Sequence, residues 1–150
     1  MSDAYQITIM RHWVFPYQIV GAMKFPDGNA IYTRENTRPP SGLIDFGLGS
    51  VGDGDYPLEY ISVDGEDEPV PALVVPGRHD IVITGGTSPW LRLAGSIAVG
   101  TMRVDDRVTG GPAAFETWFR HGVGSVYHIK QAGRPVMVRV RSRPYQEVGR

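Results

Sequence analysis

The side chains best suited to chemistry in this 150-residue chain are large and amphipathic. Tyr32, Tyr60, Met102, Trp118, Tyr127 and Met137 each fall in or beside a stretch of strand composition. Aromatic rings and thioethers line apolar ligand pockets well, because they offer area, adaptable shape and occasional hydrogen-bond donors. The same residue types also serve as plain core filling. Strand alternation sorts them by face. Tyr60 shares one with Leu58 and Ser62, Tyr127 with Ser125 and Ile129, and Met137 with Arg139, whose guanidinium can orient a ligand oxygen. Glu35 falls opposite Tyr32, so the two cannot line one cavity without a bulge.

Other chemistry is thinner. The chain carries no Gly-x-Ser-x-Gly elbow, no phosphate-binding Gly-rich loop, no dinucleotide fingerprint and no His-Glu-x-x-His pair. His12, His79, His121 and His128 lie on separate segments and read as surface or hydrogen-bonded structural residues, so no metal is expected. Asp53, Asp55, Asp64, Glu66, Asp67 and Glu68 read as loop carboxylates whose spacing does not follow a calcium loop. Arg139, Arg141 and Arg143 alternate with Val138, Val140 and Ser142, which reads as a strand with one apolar and one solvated face. With a net charge of -1, neither nucleic acid nor an anionic membrane is an expected partner.

The elements that must position these residues are short. Nineteen glycines and 12 prolines recur along the chain and leave little room for long helices. There is no cysteine, and hence no disulfide, thiolate metal site or Cys nucleophile. No run reaches the roughly 18 apolar residues of a membrane span, and no signal-peptide pattern opens the chain, so a soluble cytoplasmic protein is expected. Residues 5–15 alternate as a first strand, with Tyr5, Ile7 and Ile9 on one face. Residues 17–36 read as a hairpin about the turn Pro26-Asp27-Gly28-Asn29. Residues 43–51 read as a bending strand, 56–63, 73–75, 81–84 and 96–104 as further strands, and 113–120 as either helix or strand. Residues 123–130 and 135–142 read as a terminal hairpin about Gln131-Ala132-Gly133-Arg134, and 143–150 as a tail. Eight to ten short strands imply an all-β fold: one antiparallel β-barrel of about eight strands over residues 1–150, with a jelly-roll sandwich as the alternative.

The stretch Asp80–Ala98 sharpens this reading. Ile81–Thr84 has strand composition, Gly85-Gly86-Thr87 follows, Trp90 comes three residues after the threonine, and Gly95 precedes a second β-branched run. This resembles the Gly-Gly-Thr-Gly-x-(Phe/Tyr)-x-Gly-Ala-x-Gly element of the allene oxide cyclase and dirigent barrels. Ser88 and Arg92 stand where that pattern has glycine, and the likeness covers about a tenth of the chain. The resemblance implies a compact antiparallel barrel, a homodimer, and a cofactor-independent cyclase of the bacterial spirotetronate-polyketide kind. Such a protein folds a linear polyketide-like substrate in an apolar cavity, with a 4+2 cycloaddition as the implied reaction. In that setting Tyr60, Trp118 and Tyr127 would shape the cavity and polarise the substrate. Met102, Met137 and Tyr32 would supply wall, Arg139 would anchor a polar end, and Trp90 would plug the barrel base. The alternative is a non-catalytic small-molecule binding barrel of the lipocalin kind.

Overall fold

A computed structural model describes residues 3–15, 18–36, 50–63, 67–79, 81–85, 95–104 and 107–143. Trp90, most of the Gly-Gly-Thr turn and residues 43–49 of the strand expected at 43–51 lie outside them, and residues 50 and 51 are not in a strand. Among the described residues ten strands and two short helices follow in order: β1 Tyr5–Val14, β2 Gln18–Lys24, β3 Ala30–Asn36, β4 Gly54–Ile61, β5 Val70–Leu73, β6 Ile83–Thr84, β7 Ile97–Gly100, β8 Met102–Val104, β9 Arg107–Thr109, α1 Gly111–Phe115, α2 Val126–Gln131 and β10 Val136–Ser142. A π-helical turn, Glu116–Arg120, continues α1. Eight strands form one sheet in the order β5-β4-β10-β1-β2-β3-β7-β6. Its two edges meet where Leu73 N–H donates to the Ile81 carbonyl at 2.9 Å and Ala72 bridges Val82, so the sheet curls into a nearly closed barrel.

The expected all-β barrel of eight strands is therefore present, but its sheet is mixed. β10 runs parallel to β1, and β6 parallel to β7. The cause of the first is local. The expected terminal hairpin does not form, because residues 126–131 are helical. Ser125 is the N-cap of α2: it has extended backbone, and its Oγ accepts from His128 N–H. Gly133, at φ 90°, ends the helix in a Schellman turn, with Gly133 N–H on the Lys130 carbonyl and Arg134 N–H on the Ile129 carbonyl. The chain then enters the sheet with no hairpin partner. β10 occupies the slot between β1 and β4, antiparallel to β4 and parallel to β1.

Inward positions follow from alternation. Ile7, Ile9 and Arg11 on β1, Ile31, Thr33 and Glu35 on β3, and Val136, Val138 and Val140 on β10 are all buried. The helical end of the barrel is sealed by Ala114, Phe115, Phe119 and Val126, which join the same apolar cluster as Ile7, Ile9, Met23 and Leu58. Close backbone approach is needed here: a Cβ on Gly111 would overlap the Gly85 carbonyl oxygen, so α1 can start against β6 only with glycine at that position. On the outer face the β8–β9 hairpin folds back over β3 and β7, which Gly100 permits because a Cβ there would strike Thr109 and Val108.

The opposite end of the barrel is polar inside. Arg11, 7% exposed, donates from Nε and Nη2 to the two carboxylate oxygens of Glu35, 2% exposed, at 3.0 and 2.7 Å. Its Nη1 reaches Asp53 Oδ1 at 3.2 Å, and Nη2 also donates to the Val51 carbonyl. Asp53 in turn accepts from Ser142 N–H and Oγ–H. Burial works against the Arg11 charge, but the bond to Glu35 and the charges of Glu35 and Asp53 outweigh it and raise the pKa. One guanidinium thus ties β1, β3, the entry to β4 and, through Asp53, the end of β10. Removing one partner of such a buried pair leaves an uncompensated charge. Glu35→Ala should cost about 3–5 kcal/mol of stability, read as a lower urea midpoint. Arg11→Met with Glu35→Leu should recover much of that loss. A Glu35→Ala midpoint equal to wild type would show that the pair does not hold the barrel end.

Candidate functional site

Three of the residues singled out from the sequence gather at the helical end of the barrel. Tyr60 sits on the inward face of β4 beside Leu58, as strand parity predicts, and is half-buried at the rim. The strand expected for residues 123–130 is corrected to the helix α2. Its axis lies close enough to β4 that Tyr127 meets Tyr60 edge to face, with ring centroids 5.2 Å apart and planes at 79°. Such aromatic pairs are worth about 0.5–1.5 kcal/mol beyond the area they bury. Trp118 belongs to the π-helical turn. It stacks on Phe25 at 4.2 Å and 9°, packed against the core, and is not among the residues that line the cleft described below.

The two phenols have different tasks. A helix leaves its last carbonyls without intrahelical donors, and the turn at Glu116–Arg120 satisfies two of them through side chains. Tyr60 Oη–H donates to the Phe119 carbonyl at 2.7 Å, and Ser125 Oγ–H to the Arg120 carbonyl at 2.8 Å. Tyr60 is thereby spent on holding the helical cap. Its burial drives its pKa far above the ordinary value; the Arg120 charge opposes that rise and Tyr127 adds to it, and the phenol stays protonated. Tyr127 Oη instead accepts from Gln131 Nε2 at 2.8 Å. Among the described residues nothing takes the Tyr127 hydroxyl proton, which leaves it available to an oxygen of a guest.

A cleft of about 230 Å³ opens at this point, lined by Glu59, Tyr60, Tyr127, Lys130 and Gln131. Tyr127, Lys130 and Gln131 stand at i, i+3 and i+4 of α2, so one helical face supplies all three. Lys130 Nζ pairs with the Glu59 carboxylate across the cleft at 2.9 Å. The two rings give the cleft an apolar wall and α2 gives it donors. Among the described residues no group of three or more His, Asp or Glu side chains is arranged to hold a metal.

The other expected wall residues lie elsewhere. Tyr32 is on the outer face of β3, in register with Ala22 and Gly100, because the inward parity belongs to Ile31, Thr33 and Glu35. The opposition of Tyr32 and Glu35 read from alternation holds. Met137 and Arg139 take the outward parity of β10, and Arg139 Nε pairs with Asp55 at 3.2 Å. Met102 is 61% exposed on the β8–β9 hairpin. These four cannot line a space within the barrel, and Trp90 is outside the described residues. Sequence reasoning missed Lys130, Gln131 and Glu59, since a strand reading of 123–130 put Tyr127 and Lys130 on opposite faces. It also missed Arg11, although the alternation Ile7, Ile9 carries straight on to it.

Because Tyr60 is held protonated, its linkage to pH has a definite sign. The folded pKa lies above the ordinary value of 10.0, so the stability it confers is whole below pH 10 and falls as the pH rises beyond it. Tyr5, raised by burial first and by the Asp27 charge second, adds a smaller contribution of the same sign. Tyr60→Phe should flatten this alkaline loss. At neutral pH it should cost about 1–3 kcal/mol, the penalty of stranding the Phe119 carbonyl. Urea midpoints of both proteins from pH 7 to 11 check this, and parallel pH curves would refute it.

The chain matches no family model, no curated protein and no solved structure, so the cleft must be read from its own residues.

Proposed function

We propose that the protein is a cofactor-independent barrel enzyme that seats a linear, polyketide-like guest at the Tyr60–Tyr127 cleft and closes a ring in it. The observation that supports this most is the division between the two tyrosines. Tyr60 is committed to a backbone carbonyl, while its neighbour Tyr127 keeps a hydroxyl proton to give, inside a cleft with an aromatic wall. The reaction is an intramolecular 4+2 cycloaddition. Two new carbon–carbon bonds form within the guest as its π electrons reorganise, and no atom, electron or proton is exchanged with a cofactor.

Such a reaction needs a conformer more than it needs a reagent. Holding the reacting carbons near contact can remove about 7–11 kcal/mol of barrier in favourable cases. The Tyr127 O–H bond to a carbonyl conjugated with the dienophile draws electron density from it as the bonds form. A cleft of about 230 Å³ is smaller than the roughly 300–1,000 Å³ that encloses a drug-sized ligand. It therefore takes the carbonyl-bearing end of the guest, with the rest outside it. The working form is a homodimer, with neither nucleic acid nor membrane as partner. A second reading, a binding barrel of the lipocalin kind, rests on one fact: the cleft offers a single uncommitted hydroxyl and an ion pair, a modest set for turnover.

Incubation with a linear polyene that carries a diene and a dienophile conjugated to a carboxylate separates the two. The enzyme reading expects a cyclised isomer of unchanged mass. Tyr127→Phe should slow its formation about ten- to a hundredfold, the worth of one hydrogen bond of roughly 1.5–3 kcal/mol, while the urea midpoint stays near that of wild type. A polyene that binds and returns unchanged assigns the protein to binding alone.

A further inference from the structure

Resting on the reading of this cleft as the guest site, the chemical class of the guest's seated end can be specified. The lining is asymmetric. β4 contributes the Tyr60 ring and the Glu59 carboxylate, and α2 contributes the Tyr127 hydroxyl, the Lys130 ammonium and the Gln131 amide. Gln131 Nε2 donates to Tyr127 Oη, which holds the phenol without taking its proton. The cation of the cleft is the less exposed member of its pair: the Lys130 side chain is 21% exposed and that of Glu59 is 53%.

We propose that the cleft recognises a carboxylate joined to a planar unsaturated body. The body lies against the Tyr60 and Tyr127 rings, and the carboxylate accepts from Tyr127 Oη–H and Lys130 Nζ. Glu59 is the occupant it displaces. An exposed ion pair of this kind contributes little to stability, and the Glu59 carboxylate returns to water when it lets go. A guest carboxylate gains two charge-assisted bonds at a site partly shielded by two rings, and bonds of that kind are the stronger class. A neutral amide of the same shape keeps the stacking and the Tyr127 bond but leaves Glu59 on Lys130. The charged groups facing the bound carboxylate are thus Lys130 and Glu59, and the Arg120 charge also acts on Tyr60.

The test compares trans-cinnamate with trans-cinnamamide by calorimetry and by amide NMR shifts of α2, on the full chain. Wild type should bind the acid about tenfold more tightly than the amide, a difference of about 1.4 kcal/mol. Lys130→Met should erase the preference, and Lys130→Arg should keep most of it. Glu59→Gln should tighten the acid by a few fold and leave the amide unchanged, an effect that a purely structural role of Glu59 would not give. Equal binding of acid and amide by wild type, with shifts on α2, overturns the carboxylate assignment and leaves the cleft reading standing. A preference that survives Lys130→Met overturns it as well. Failure of both compounds to shift α2 overturns the assignment and the cleft together.

Discussion

The seating of β10 between β1 and β4 is the constraint on which the other features depend. It joins the first strand to the last, closes the long side of the barrel, and fixes where the preceding helix can lie. With Tyr5 N–H on the Pro135 carbonyl and β1 in parallel register with β10 from Tyr5–Val136 onward, α2 has to end at the barrel's apolar mouth. That placement brings Tyr127 onto Tyr60. A hairpin in place of α2 would have produced an antiparallel neighbour for β10, and Tyr127 would have been one more side chain on a sheet.

The two ends of the barrel are closed by opposite means. At the helical end Phe115, Phe119 and Val126 fill the mouth with apolar volume, and the carbonyls left over by the π-helical turn are satisfied by Tyr60 and Ser125. At the other end Arg11 spans from β1 to Glu35 on β3 across β2. Gly21 stands in register with both Arg11 and Thr33, so no side chain blocks the crossing. Hydrophobic closure tolerates neighbours of many shapes. A bidentate guanidinium–carboxylate pair tolerates very few, and a polar end of this kind favours one strand register over its neighbours. A shift of β3 by one residue would turn Glu35 outward and leave Arg11 without its partner.

Much of this was legible in the residues. Alternation marked β1, β2, β3 and β10, turn chemistry placed the hairpin at Pro26–Asn29, and the count of short strands implied a barrel of about eight. Parity also put Tyr60 on the face of Leu58, and Tyr32 and Glu35 on opposite faces. The helix α2 escaped because Val123–Lys130 is rich in β-branched and aromatic residues, and composition outweighed its caps. Ser125 at the N-cap, Lys130 in the last turn and Gly133 just past the end form a complete set of helix boundaries. Read that way, 127, 130 and 131 fall on one face. The parallel pairing of β10 could not be read from local signals, since it depends on a contact between the two ends of the chain.

The arrangement of the two tyrosines bears on how a barrel without cysteine, and with no metal-holding cluster among its described residues, could present a reactive group. A phenol that serves the fold must be buried and bonded, as Tyr60 is, and both conditions remove it from chemistry by holding its proton. A phenol that serves a guest must be aimed without being consumed. In the proposed function Gln131 does this by donating to the oxygen of Tyr127, which holds the hydroxyl without taking its hydrogen. The edge-to-face contact then lets the committed ring orient the available one. Under the proposed function, mutations at Tyr60 and Tyr127 separate by type: the first acts on the cap and reaches a guest only through it, the second acts on the guest and spares the fold.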